Sequence, residues 1–171
     1  DSGTVPGVTL MSIEWLLLQN PRAHFPAGRS ALPGQEHPGL RMFSDVLAMF
    51  VVMTKRLELD GLIVVPSHYH VAAQWRSHLM FADPEEAARF DVLSEVVGDL
   101  PLTQASRLIE GRRIVDGDGQ PAYQPSAMVY AATQALRDRL RSQDYEAAYQ
   151  AARARAVVTR LDASPGTARS V

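Results

Sequence analysis

Cysteine is absent from the 171-residue chain. That excludes disulfide cross-links, thiol nucleophiles and thiolate-held metals. Lysine is nearly absent too: Lys55 stands alone against sixteen arginines, seventeen basic residues in all, a bias associated with high-GC bacterial genomes. Neither sign of charge is in excess, because the net charge is −2. No basic field therefore points to nucleic acid or to an anionic membrane. Long hydrophobic runs are missing as well. The longest, "VLAMFVVM" at 46–53, is far short of the roughly 20 residues that span a bilayer. The chain opens on Asp1 with no visible signal-peptide pattern, and a cytoplasmic location is expected. What the chain does have is 46% apolar and 21% charged residues. That composition and length suit a single globular domain with a substantial core.

Residues 1–9 are small and polar with Gly and Pro, which predicts a flexible lead-in running to about residue 12. "IEWLLLQNP" (13–21) is a strand-length apolar run ended by an Asn-Pro turn signal. Four prolines and three glycines between Pro21 and Gly39 predict a long ordered loop. The span 40–58 reads as a helix on the spacing of Phe43, Val46, Leu47, Phe50 and Leu57. Met42, Met49 and Met53 widen its apolar stripe, implying burial on more than one side. Asp60-Gly61 ends it. "LIVV" (62–65) reads as a buried, parallel strand stopped by Pro66. The spacing of Val71, Trp75 and Leu79 predicts a helix over 69–81. "DPEE" predicts another start, with Asp83 as N-cap, Pro84 at the first helical position and Glu86 three beyond the cap. Gly98 ends that helix, and Gly111 closes a shorter one over 103–110. "RRIVDGDGQPAYQ" (112–124) reads as one hairpin. Helical patterns fill most of 127–161, broken near Ser142–Asp144, before the tail "DASPGTARSV", which is expected to fray. The fold class is α/β: a core at 13–100 built as strand, loop, helix, strand, helix, and a mainly helical extension at 101–171 carrying the hairpin.

The loop "LPGQEHPGLRM" (32–42) meets the predicted helix start at Leu40. Unpaired backbone N–H groups and the positive end of the helix dipole lie there. A glycine at that corner lets an anion approach the backbone, and Arg41 adds a positive charge. The alternative is ordinary helix-start chemistry at Pro38-Gly39.

The order from Gly39 through one helix, the strand "GLIVVPS" and the segment "AAQWRSHLMF" resembles the C-terminal half of the GNAT family of N-acetyltransferases. The likeness covers about 14–83. In that family a strand leads into a Gln/Arg-x-x-Gly-x-Gly/Ala loop that holds the pyrophosphate of acetyl-CoA. The resemblance implies a GNAT-like half core using acetyl-CoA or another acyl-CoA as cosubstrate. It assigns Gly34, Gln35, His37, Gly39, Leu40 and Arg41 to the cofactor loop. Glu36 then stands at the Gln/Arg position and Arg41 at the second glycine. The family's general-acid Tyr falls at Arg76 or Trp75, and Met80 replaces the Gly before Phe81. The resemblance also implies an N-terminal half, lying upstream of Asp1 or supplied by a partner chain or second copy that completes the sheet.

"PSHYHVA" places His68 and His70 two apart at a strand end. On an extended segment both rings face one side, suited to proton transfer from an amine or, with no third ligand signalled, to a metal. The plainer alternative is a polar strand end capping the next helix. Glu14 is a further candidate base. No Gly-x-Ser-x-Gly accompanies Ser67-His68. Arg137, Arg139 and Arg141, offset by Asp138 and Asp144, read as a solvated face. Two functions from different classes follow. One is acyl transfer to a small-molecule or peptide amine, with His68, His70 or Glu14 as base. The other is a degenerate, non-catalytic module that binds a protein partner through its helical C-terminal half.

Overall fold

The computed structural model describes residues 7–14, 16–28 and 31–161. The predicted fraying tail lies outside them, as do the first six residues of the lead-in. The elements in chain order are β1 (Leu10–Ile13), α1 (Phe43–Arg56), β2 (Gly61–Val64), α2 (Tyr69–Trp75), β3 (Met80–Phe81), α3 (Pro84–Val96) and α4 (Leu102–Glu110). Then come β4 (Ile114–Asp116), β5 (Met128–Ala131), α5 (Gln134–Arg139), α6 (Gln143–Arg155) and β6 (Val158–Arg160). A four-stranded mixed sheet has the order β1-β2-β5-β3, and β4 pairs with β6 in a separate two-stranded sheet. The architecture is α/β. No helix among the described residues is long and apolar enough to cross a membrane.

β1 and β2 run parallel, in register from Leu10↔Gly61 to Ile13↔Val64. The α1 crossover joins them, as a parallel pair requires. The strand expected at 13–21 thus lies earlier, inside the predicted lead-in. The loop at Asp60 sets this register. Its carboxylate accepts from the Thr9 N–H at 2.8 Å, and its own N–H donates to the Thr9 carbonyl at 2.9 Å. The chain leaves the sheet after Ile13, and Leu17 is exposed. β2 is buried, and its other edge pairs antiparallel with β5 (Leu62↔Tyr130, Val64↔Met128).

α3 begins as its sequence predicts. The Asp83 carboxylate accepts from the Glu85 N–H at 2.8 Å and Pro84 opens the helix. The reciprocal capping-box bond is not made by Glu86, whose carboxylate accepts from Arg89 at 2.7 Å instead. α4 ends at Glu110 with Gly111 as C-cap.

Four expectations are corrected. The helix predicted over 69–81 stops at Trp75, because Met80 and Phe81 pair with Val129 and Met128 as β3. The span 127–161 is not wholly helical: "MVYA" (128–131) is a strand between β2 and β3, and β6 closes the segment. The Asp116–Gln120 turn forms, with the Asp116 carboxylate accepting from the Asp118 and Gln120 N–H groups. The ladder of β4, however, runs to β6, and only a single bridge, Val115↔Pro121, completes the hairpin. Finally, α1 is not buried on several sides. Leu47 and Thr54 are its buried residues, while Met49, Val52, Met53 and Leu57 are exposed.

The core gathers Leu62 and Val64 of β2, Trp75 of α2, Phe81 of β3, Leu93 of α3, Ile114 of β4 and Met128 of β5. Gly61 is a steric requirement of this sheet. A methyl group there would overlap the Tyr130 carbonyl oxygen and sit 3.1 Å from Leu136 and 3.2 Å from Leu10. The obstructing atom is backbone on a paired strand and cannot rotate away. Gly61→Ala is expected to cost about 2 kcal/mol, read as a lower urea midpoint at unchanged m-value. An unchanged midpoint would show that the β2–β5 pair is looser than this register requires.

Candidate functional site

At the C-terminal end of β2 the chain passes Pro66 and reaches His68 in extended conformation, the N-cap of α2. The His68 side chain makes no capping bond, so helix capping does not account for it. Its Nδ1 lies 3.4 Å from Oε2 of Glu110, the last residue of α4. The pair is partly open to solvent, more so at Glu110 than at His68. His70, in the first turn of α2, is 5% exposed. Its ring stacks on that of His68 with centroids 5.6 Å apart and planes 13° apart. Burial, and secondly the charge His68 can carry, push the His70 imidazole down to about 4, with Glu110 opposing. His70 is therefore neutral near pH 7, and its Nδ1 has no hydrogen-bond partner among the described residues.

Gly34 covers the His68 ring. Its φ is +72°, and a methyl on it would lie 2.6 Å from His68 Nε2, so conformation and space both call for glycine. The loop is held from below by Gln19. That side chain donates to the Gly34 carbonyl at 3.2 Å and accepts from the Glu36 and His37 N–H groups at 3.0 and 2.8 Å. The Leu40 N–H donates to the Leu18 carbonyl at 2.9 Å, the Gln35 N–H to Leu32 and the Asn20 N–H to Pro38. These contacts occupy much of the expected amide cradle. The backbone donors at Gln35, Glu36, His37 and Leu40 are satisfied by the chain itself. The helix starts three residues later, at Phe43, after Arg41 takes a positive φ of 59°.

On the outer side of this loop, against α4, lies a cleft of about 820 Å³. Gln35, Gly39 and Arg41 line it from the loop, and Gln104, Arg107 and Leu108 from α4. Arg107 also donates to the Ala31 carbonyl at 3.0 Å, tying α4 to the loop. A second, more polar cleft of about 460 Å³ lies between α3, the Asp116–Gln120 turn and α6, and none of the sequence-predicted site residues lines it.

The structure thus brings together His68, His70 and Gly34, and places Gln35, Gly39 and Arg41 on the cleft. His37 and Leu40 do not line that cleft. Glu14 follows β1, is exposed, and is not in the His68–Glu110 contact. Sequence reasoning missed Gln19, Arg107 and Glu110. A helix C-terminus 42 residues from His68 carries no local signal. Among the described residues no group of three or more His, Asp or Glu gathers to hold a metal ion.

No family model, curated protein or solved structure matches this chain.

Proposed function

We propose that the chain is an acyl-CoA-binding, N-acyltransferase-like protein. The observation that carries this reading is the joining of two parts by one loop: Gly34 lies over His68, while its neighbour Gln35 lines the cleft that holds Arg41 and Arg107. Two guanidinium groups on a partly apolar cleft suit a phosphate-bearing ligand with an organic body. Since the amides of Gln35, Glu36, His37 and Leu40 are occupied, the phosphates are held mainly by side chains. In the transfer itself the amine nitrogen attacks the thioester carbonyl carbon, the C–S bond breaks and the thiol leaves. His68 takes the amine proton, and the Glu110 carboxylate stabilises the imidazolium that forms. His70, neutral and buried, contributes shape rather than charge.

Calorimetric titration with acetyl-CoA and with free CoA tests this reading. Binding is expected for both. Arg41→Ala together with Arg107→Ala is expected to weaken it at least about tenfold, because each charge-assisted contact contributes about 1.5–3 kcal/mol. Absence of binding at millimolar ligand removes the reading.

A specific observation favours a second function, that of a partner-binding module. The exposed apolar side chains Met49, Val52 and Met53 lie along α1 with Leu57 at its C-cap, and β1 is an edge strand of the sheet among the described residues. In the helical C-terminal half the exposed large apolar residues among those described are Leu102, Val157 and Leu161, so α1 offers the more continuous apolar face. A stoichiometric complex with another chain or copy, abolished by Met53→Glu and unaccompanied by acyl-CoA affinity, supports this module.

A further inference from the structure

We propose that Glu110 is a positioning residue that holds His68 in its Nδ1–H tautomer, leaving Nε2 as the proton acceptor beneath the Gly34 turn. The inference rests on the reading of His68 as the base and adds the group that orients it.

An ionised carboxylate only accepts hydrogen bonds. At 3.4 Å from Glu110 Oε2, His68 Nδ1 must be the donor. In neutral imidazole the other nitrogen is then the acceptor. That nitrogen is Nε2, the atom facing Gly34. An isolated histidine side chain prefers the opposite tautomer, with the proton on Nε2, so the preference has to be imposed from outside. The neighbouring imidazole does not impose it: the His70 ring lies nearly parallel to that of His68 with centroids 5.6 Å apart, and His70 Nδ1 has no hydrogen-bond partner among the described residues.

Glu110 is well placed for this task. It ends α4, whose Arg107 one turn earlier is tied to the loop at Ala31. The same helix therefore fixes the carboxylate that orients the base and the guanidinium that lines the cleft. A rigid element that carries both keeps them in constant relation, which a site on two independent loops would not. The Glu110 side chain is mostly exposed, so substituting it leaves the core intact.

Nitrogen-15 NMR of histidine-labelled protein, above about pH 8 where an ordinary imidazole is neutral, reads the tautomer directly. The His68 signals are assigned by their loss in His68→Asn. Wild type is expected to carry its proton on Nδ1. Glu110→Ala is expected to move His68 towards the Nε2–H form. Glu110→Gln, whose amide oxygen still accepts, is expected to retain Nδ1–H. An Nε2–H wild type, or a tautomer unmoved by Glu110→Ala, overturns the proposal. The readout needs no acyl-CoA, so loss of the acyltransferase reading would leave it standing. If acyl transfer is measured, Glu110→Ala is expected to lower kcat about tenfold with KM nearly unchanged, and Glu110→Gln less.

Discussion

Trp75→Ala is expected to remove about 4 kcal/mol of folding free energy. Trp75 is 1% exposed, at the C-terminal end of α2. Its ring meets Phe43, the first residue of α1, edge to face with centroids 4.8 Å apart and planes at 87°. Truncation removes most of the side-chain volume and leaves a cavity that the surrounding elements fill only in part, which typically costs 3–5 kcal/mol. Loss of the edge-to-face pair adds about 1 kcal/mol to the upper end of that range. For a domain whose total stability is about 5–15 kcal/mol, this is a large share. Phe43 follows directly on the loop that carries Arg41, so the damage reaches the cleft as well. Urea denaturation checks the stability loss, with Trp75→Phe as the variant that keeps an aromatic ring. That variant is expected to lose less than half as much. Equal losses in the two variants would mean that indole-specific contacts, not volume and ring pairing, hold α1 against α2.

Acidification is expected to cost about 3 kcal/mol through His70 alone. Its imidazole, ordinarily near 6.5, is pushed down to about 4 in the folded protein. Above pH 6.5 the ring is neutral in folded and unfolded chains, and the contribution is fully present. Between 6.5 and about 4 the unfolded chain binds a proton that the folded one excludes, so stability falls as pH falls. Below about 4 both forms are protonated and the loss is complete. At 1.36 kcal/mol per pH unit, the gap between the two values gives the stated figure. The groups that shift the ring electrostatically are His68, which lowers it, and Glu110, which raises it. The measurement is the pH dependence of the urea midpoint, wild type against His70→Gln. Carboxylates elsewhere act on both proteins, so the difference between the curves isolates His70. The variant curve is expected to be flatter between pH 6.5 and 4. Parallel curves would mean that the folded protein accommodates the His70 cation.

Both effects arise where the sequence pattern was only partly legible. Trp75 and Leu79 share the spacing of one helix face, and both are buried. Yet the helix stops at Trp75, because Met80 and Phe81 find partners in β5. His68 and His70 stood out as a pair. What each could do depended on surroundings supplied by Glu110 and by burial, neither of which is written near them in the chain. The loop 32–42 was recognisable from its Pro and Gly content. That its amides are engaged was not, because the engaging groups are Gln19 and the Leu18 carbonyl, beyond the loop itself.

The sequence alone determined the features whose causes are local. Asp83-Pro84 starts α3, Gly111 closes α4, the Asp116 side chain shapes its own turn, and the run after Gly61 makes a strand. Each depends on hydrogen bonds or dihedral limits within a few residues. Only the tertiary structure decided that β1 begins at Leu10, that β5 enters the sheet and that β4 pairs with β6. It also decided that Gln19 closes the amide corner and that Glu110 meets His68. These contacts join residues far apart in the chain. Their energies depend on which surfaces packing brings together, and a short strand or a single polar side chain carries no periodic signal of its distant partner.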